Sequence, residues 1–259
     1  MANSVSKDAV GFPPPLLGEQ PFRLPILERG DGWVALEKPI GPLIDAHPLY
    51  PDAKSIVEGI RVQASAGKPE LERLELGKVA AIYFLEPEVH GIAMLASNHS
   101  AREHLRNAFG SMQFEFEFEM LGKAPHGATD LVCEAPLGYY SKAGRMVISK
   151  RHGKKSKTQF LRVGDCGSVS RWLARTAYPR PQQIQLHARE VGLEIAGDVA
   201  LAHEPEVAAS GWADRRLEQL GLCMRLKSIQ FPFDGQSISV NAPTPKLWRS
   251  FLRRMGAAD

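Results

Sequence analysis

The chain has 259 residues, 44% of them hydrophobic, so it is long enough for one large domain or two small ones with a sizeable core. Lys and Arg outnumber Asp and Glu by 32 to 29, and the net charge of +3 by itself barely favours polyanionic partners. Three cysteines, far apart and in no Cys-x-x-Cys spacing, argue against a disulfide framework or a zinc site. No apolar run approaches the roughly 18 residues of a membrane span, and we expect a cytoplasmic protein with no membrane attachment.

The first part of the chain changes character near residue 20. Residues 1–20 contain a Pro-rich stretch at 12–15 and little periodicity, which predicts a flexible or extended arm in front of a domain over 21–259. Strand-like segments follow at 25–28 and 33–36, on either side of a Gly-Asp-Gly turn.

A helix and a pair of strands are predicted next. Residues 54–66 carry apolar side chains at helical spacing. Residues 79–85 and 92–96 are short, apolar and bounded by breakers, as two buried strands would be. Glu86-Pro87-Glu88 is then their connection, and two carboxylates beside buried strands need partners or have their proton affinity raised.

Sequence patterns in the middle of the chain predict a helix and a strand. Residues 100–103 have the form of a capping box, and Gly110 is a plausible end of the helix that they start. Residues 113–120 alternate Phe or Met with Glu, which predicts a strand with one face in the core and the other in water.

The second half of the chain predicts hairpins and a final helix. Two strands are expected at 160–163 and 169–177, and a last hairpin spans 222–240 with its turn at Asp234-Gly235. Residues 246–255 should form a closing basic helix.

One stretch is strongly basic. Residues 142–157 contain seven Lys or Arg and no acidic residue, which favours a polyanionic partner. The same residues could also form a solvated hairpin without any partner.

Several of these segments resemble motifs of the RsuA/RluA-type RNA pseudouridine synthases. Residues 83–94 lie without gaps on the family's His-Arg-Leu-Asp-x-x-Thr-x-Gly-Leu-Leu-Leu motif, with Leu85 and Gly91 matching and Glu86 in the place of the catalytic Asp. Residues 37–41 resemble Asn-Lys-Pro-x-Gly, and residues 178–187 resemble Thr-Gly-Arg-Thr-His-Gln-Ile-Arg-Val-His. Three further segments, at 114–122, 134–138 and 153–160, follow the family's order and spacing.

The resemblance covers roughly residues 24–250 and implies a fold, a reaction and a partner. The fold is a mixed α/β (α+β type) pseudouridine synthase fold, with a mainly antiparallel central sheet and flanking helices. The reaction breaks the glycosidic bond of a uridine in RNA and rejoins the base through carbon, with no cofactor and no metal. The partner is RNA, either rRNA or tRNA, bound by a monomer.

Three catalytic positions of the family are altered together in this chain. The family's Asp, Arg and Tyr correspond to Glu86, Gln185 and Phe116. Glu86 keeps a carboxylate one methylene further from the backbone, Gln185 removes the cation that holds the carboxylate ionised, and Phe116 keeps a stacking face without the hydroxyl. Losing both members of an ion pair avoids leaving a buried charge alone, and is a physically consistent way for such a site to lose its activity.

Three hypotheses follow from this combination. The first is an RNA-binding relative with lost or impaired catalysis, the second an active synthase that uses Glu86, and the third a protein-interaction module that no longer binds RNA. Retention of the basic residues argues against the third. The predicted RNA-binding residues are Lys38, Arg145, Lys150, Arg151, Lys154, Lys155, Lys157, Arg180 and His187.

Overall fold

The structure is a computed structural model that describes residues 8–198, 217 and 220–256. Within this part the chain forms strands and helices of a mixed α/β fold, as predicted. In chain order they are β1 (Ala9–Phe12), β2 (Phe22–Gly30), β3 (Trp33–Lys38), α1 (Ile56–Ser65), α2 (Pro69–Arg73), β4 (Ala80–Ala81), β5 (Gly91–Ala96), α3 (His99–Gly110), β6 (Glu115–Lys123), β7 (Asp130–Cys133), β8 (Leu137–Tyr140), a 3-10 turn (Ser141–Ala143), β9 (Arg145–Ile148), β10 (Thr158–Cys166), β11 (Val169–Thr176), α4 (Gln183–Glu190), β12 (Glu194–Ile195), β13 (Met224–Phe233), β14 (Gln236–Asn241) and α5 (Lys246–Arg254).

The chain divides into two compact units. Unit 1 consists of Met1–Glu115 and Ser228–Ala242, and unit 2 of Phe116–Lys227 and Pro243–Asp259. The sequence predicted one domain over 21–259, and these domain limits stay a prediction.

Unit 1 is built on a five-stranded sheet in the order β1-β2-β3-β5-β4, with antiparallel neighbours. Helix α1 forms where the sequence predicts a helix, and the Ser55 hydroxyl caps it by accepting from the Glu58 backbone N–H at 3.2 Å. The apolar stripe of α1 is buried, including Ile56 and Ile60. The predicted hairpin of β2 and β3 is confirmed, with Gly32 in its turn at a φ of 71°.

Residues 9–12 lie in the flexible or extended arm predicted for 1–20. They form β1, which pairs with β2 and buries Val10 and Phe12 completely or nearly so. Gly59 of α1 makes room for this strand, because a Cβ there would lie 3.0 Å from the Phe12 ring. Residues 1–7 of the predicted arm lie outside the described part of the chain.

The predicted strand over 79–85 is wrong in its length. Only Ala80–Ala81 pair with β5, and the chain then leaves the sheet. The reason lies in the loop that follows, where the Tyr83 hydroxyl donates to the Ile92 carbonyl at 2.7 Å and holds the chain across the next strand. The second predicted strand, β5, is confirmed and fully buried.

Helix α3 ends at Gly110 as predicted, but it begins elsewhere. Asn98, and not Ser100, caps it, because the Asn98 side-chain oxygen accepts from the Ala101 N–H at 2.8 Å. Asparagine and serine are equally good caps, so the capping box pattern placed the start of the helix two residues too late.

Unit 2 contains the sheet order β13-β6-β11-β10-β7, with β12 paired to β6. The strands predicted at 160–163 and 169–177 are confirmed as β10 and β11. Helix α5 is also confirmed, and it buries Trp248, Phe251 and Leu252 in a core shared with Leu121. The three cysteines are buried and form no disulfide.

The wet face predicted for residues 113–120 is confirmed at Gln113 and Glu115, which are exposed, and is wrong at Glu117 and Glu119. The two glutamates are 9% and 1% exposed, so both faces of β6 are covered from Phe116 to Gly122. The carboxylate of Glu119 accepts from Arg171 Nη2 and Arg225 Nε, each at 2.7 Å. Cations from neighbouring strands compensate for the buried charge.

Candidate functional site

Glu86 lies in the loop between β4 and β5, within unit 1. Its side chain is only 7% exposed, and its apolar neighbours Leu85 and Val89 are buried. The Val89 N–H donates to the Glu86 carbonyl at 3.1 Å and closes a turn around Pro87 and Glu88. The loop therefore holds the carboxylate between two anchored apolar residues.

Lys38 fixes this loop from the end of β3. Its Nζ donates to the carbonyl oxygens of Val89 at 2.8 Å, Pro39 at 3.1 Å and Pro87 at 3.4 Å. The Lys38 side chain is fully buried, which differs from the RNA-facing position predicted for it. In this structure Lys38 is a positioning residue for the loop that carries Glu86.

Lys38 is also electrostatically coupled to the carboxylates of the loop. Burial lowers its pKa to about 7, while the negative charges of Glu86 and Glu88 act in the opposite direction. Three carbonyl acceptors match the three N–H groups of an ammonium, so the hydrogen bonds favour the charged form. The proton on Lys38 and the conformation of the loop therefore depend on one another.

An aromatic group lies beside the same loop and was not singled out from the sequence. The ring of Phe84 lies 4.3 Å from that of His47 and 5.9 Å from that of Tyr50, centroid to centroid. The sequence offered one sign of this cluster, the two X-Pro turns within residues 47–51. It gave no sign that Phe84, more than thirty residues further along the chain, packs against them.

In unit 2, Gln185 lies on α4 and is 4% exposed. Its Nε2 donates to the Asp198 carboxylate at 2.9 Å. The Gln185 amide thus donates to an acceptor within its own unit. It carries no positive charge, whereas the family that the sequence resembles has an arginine at the corresponding position.

His187, also on α4, belongs to a buried chain of hydrogen bonds. Its Nε2 lies 2.8 Å from the Ala135 carbonyl, which can only accept, so the proton belongs on Nε2. Its Nδ1 then accepts from the Thr158 hydroxyl at 2.9 Å, and Thr158 accepts from Gln183 Nε2 at 3.1 Å. Burial lowers the pKa of His187, so the imidazole is neutral at neutral pH.

Phe116, predicted to face the target base, is fully buried on β6 opposite Thr176 of β11. Arg180, by contrast, is tied to the basic stretch. Its Nε and Nη2 donate to the Lys155 carbonyl at 3.3 and 3.2 Å, and its guanidinium lies 5.0 Å from the centroid of the Tyr178 ring.

The basic stretch leaves most of its cations in solvent. Gly153 lets its backbone return to the 134–138 segment, since a Cβ there would collide with backbone atoms of Ser149 and Pro136. The structure brings one acid to the stretch, because Lys157 Nζ lies 2.7 Å from Glu134. Arg145 is half-buried, and the exposed members are Lys142, Lys150, Arg151, Lys154, Lys155 and Lys157.

The predicted site residues therefore fall into two groups. Glu86 and Lys38 lie together in unit 1, whereas the aromatic, amide, imidazole and basic positions belong to unit 2. Among the described residues, no cluster of His, Cys, Asp and Glu could hold a metal ion. No helix in that part of the chain is long and apolar enough to cross a membrane.

Comparison with solved structures identifies the fold. The structure titled Human RNA Pseudouridylate Synthase Domain Containing 4 superposes with a TM-score of 0.69 and 15% sequence identity, covering 89% of this chain and 92% of that one. Human RNA Pseudouridylate Synthase Domain Containing 1 gives a TM-score of 0.63 and 17% identity, covering 86% and 84%. Neither a family model nor a curated protein sequence matches the chain.

The chain therefore has the pseudouridine synthase fold, which confirms the fold predicted from the sequence. At such low identity the likeness concerns the fold, and the activity has to be argued from the residues of the site.

Proposed function

We propose that the protein is an RNA-binding relative of the RsuA/RluA-type pseudouridine synthases in which isomerisation of uridine is lost or impaired. Support comes from the fold, and from the side chains at the three positions that the family uses for the reaction. The observation that carries the proposal is at Gln185, a neutral amide hydrogen-bonded to Asp198 at the position that the resemblance assigns to the arginine.

Each altered position weakens the reaction for its own reason. The extra methylene of Glu86 moves its carboxylate by about 1.5 Å relative to an aspartate. A displacement of about 1 Å can lower a rate on the order of a hundredfold. Phe116 has no hydroxyl, and a glutamine at 185 supplies no charge to keep the carboxylate ionised.

The ligand in this proposal is structured RNA, either rRNA or tRNA, bound by a monomer in the cytoplasm. Its phosphates contact the exposed cations of residues 142–157, with Arg145 and Arg180 beside them. The six exposed cations are close together in sequence, which suits contacts to a backbone better than recognition of individual bases.

A second candidate, an active synthase that uses Glu86, is favoured by Lys38. Lys38 is the substitute cation of this candidate, since Glu86 acts electrostatically on its buried ammonium. In that case the positive charge of the site comes from β3 and the amide of Gln185 has no part in holding the carboxylate.

The deciding experiment measures pseudouridine in total RNA from cells that lack the gene and re-express either the intact protein or Glu86→Gln. Our proposal expects no uridine whose conversion depends on the gene, while the purified protein retains structured RNA. A uridine converted by the intact protein and not by Glu86→Gln establishes the second candidate. Failure to retain RNA contradicts the proposal and favours a protein-interaction module.

A further inference from the structure

The three rings of His47, Tyr50 and Phe84 form an aromatic cluster that the proposed function does not yet use. Phe84 lies between the other two, tilted by 43° to His47 and by 21° to Tyr50. All three side chains are half-buried, unlike the fully buried Phe116. The rings are held by neighbours and still have surface open to solvent.

A rigid double turn holds two of the rings. The Tyr50 N–H donates to the His47 carbonyl at 2.9 Å, and the Ala53 N–H donates to the Tyr50 carbonyl at 3.2 Å. Pro48 and Pro51 occupy the second positions of these turns, where their fixed φ suits the turn geometry. A ligand that uses these rings therefore has little loop ordering to compensate for.

The His47 ring is held in a form that suits stacking. Its Nδ1 accepts from the Leu49 N–H at 3.2 Å, which leaves the proton on Nε2. Burial lowers its pKa, so the ring is uncharged at neutral pH.

We propose that this aromatic cluster binds an unpaired nucleobase of the RNA by stacking. The proposal deepens the function proposed above and rests on it. Phe84 is two residues before Glu86, so a base on the cluster contacts the loop that carries the candidate carboxylate. Base stacking on aromatic rings tolerates any base, since each has a π-face.

The charges around the cluster favour a base over a phosphate. Asp52 in the double turn is exposed, and Asp45 two residues before His47 is half-buried. Carboxylates repel phosphate oxygens, whereas the flat face of a base carries no charge. The cluster therefore suits RNA with unstacked nucleotides, such as a loop or bulge, better than a continuous duplex.

The test compares two RNA stem-loops that differ only in the loop, one with its uridines and one with abasic residues in their place. Binding of each is measured by fluorescence anisotropy to the full chain, to Tyr50→Leu and to Phe84→Leu. Leucine keeps apolar bulk and removes the ring. Phe22→Leu, a half-buried aromatic of unit 1 outside the cluster, is the matched control, and Phe84→Tyr keeps a ring at the tested position.

The wild-type protein should prefer the base-containing loop about tenfold, as expected when stacking of one base is removed. This ratio should fall towards one in the two leucine variants and stay at the wild-type value in Phe22→Leu and Phe84→Tyr. A wild-type ratio near one, or leucine variants that keep the full ratio, overturns the stacking site while RNA binding itself stands. If the wild-type chain binds neither stem-loop, the proposed function and the stacking site both fail.

Discussion

Lys38 shows how one side chain can determine the conformation of a functional loop. Its ammonium donates to three backbone carbonyls, two of which belong to the loop that carries Glu86. Without these donors the Val89 carbonyl loses its Nζ partner in a region with little water, a loss worth about 1–3 kcal/mol, whereas the Pro87 carbonyl keeps the Gly41 N–H at 2.8 Å.

Lys38→Met is therefore expected to lower the free energy of unfolding by about 1–3 kcal/mol, although it removes a charge whose burial is itself unfavourable. Denaturant titration of the wild-type protein and the variant measures this difference. Lys78→Met, at an exposed position of the same unit, is the control and should change stability by less than about 0.5 kcal/mol. Equal effects of the two variants would show that Lys38 does not hold the loop.

A second prediction at the scale of the residue concerns His187 and the dependence of stability on pH. Its folded-state pKa lies below the 6.5 of the unfolded chain, mainly because of burial, with the Ala135 hydrogen bond and Glu190 opposing. As the pH falls through this range the unfolded chain binds a proton more readily than the folded one, so the contribution of His187 to stability is present above pH 6.5 and is lost below it.

The free energy of unfolding should thus decrease from pH 7 to pH 5, with at most about 1.4 kcal/mol per pH unit from this one group. Denaturant titrations at several pH values are compared between the wild-type protein and His187→Gln. The wild-type curve should be the steeper of the two in this range. Parallel curves would mean that His187 titrates in the folded protein as it does in the unfolded chain.

At the scale of the element, β6 shows why an alternating sequence pattern can predict exposure for side chains that are buried. Phe and Glu alternate along it, and the alternation correctly placed the phenylalanines in the core. Glu115 is exposed, but Glu117 and Glu119 are buried because cations of the neighbouring strands pair with them. These cations are Arg171 and Arg175 of β11 and Arg225 and Lys227 of β13. These partners are between 52 and 110 residues away in sequence, so no local pattern could reveal them.

Glu119 is the more deeply buried of the two acids. Burial alone would raise its pKa, but Arg225 and Arg171 hold the pKa below its usual value. Glu119→Gln leaves two arginines without their carboxylate, and loss of one partner of a buried pair typically destabilises by about 3–5 kcal/mol. Thermal or chemical unfolding measures this loss, and Glu194→Gln at an exposed strand position should have almost none. A small effect at both sites would mean that the arginines find other acceptors.

The elements that the sequence predicted well are those whose signals are local. The hairpin of β2 and β3, the helices α1 and α5, and the strands β10 and β11 follow from turns and periodicity over a few residues. Helix α4 shows the limit of such signals. It starts after Gln182, which has a left-handed φ of 57° and whose side-chain oxygen accepts from the Met146 N–H on β9, a contact set by the tertiary structure.

The candidate site was predictable in part for the same reason. The resemblance assigned site positions to Glu86, Gln185 and Phe116, and their roles stay a prediction. It did not reveal that Lys38 is buried under the loop or that Phe84 packs against the double turn, because both depend on segments that meet only after folding.

At the scale of the whole molecule, the net charge of +3 hides an uneven distribution. Seven of the 32 Lys and Arg are in residues 142–157, and six of those seven side chains are exposed. If RNA phosphates contact this stretch, binding releases counterions and the affinity falls steeply with salt. The charge distribution therefore predicts how RNA affinity changes with salt concentration more directly than it predicts the affinity itself.

Replacing Lys150, Arg151 and Lys155 together by Gln should weaken RNA binding and flatten the plot of log affinity against log salt concentration. For three phosphate contacts to unpaired strands the slope should fall by about 2, since each contact contributes about 0.7. The control, Arg61→Gln with Arg73→Gln and Lys78→Gln, removes the same charge from exposed positions of unit 1. If the two triple variants lower the slope equally, RNA responds to net charge alone, and the basic stretch is not its binding surface.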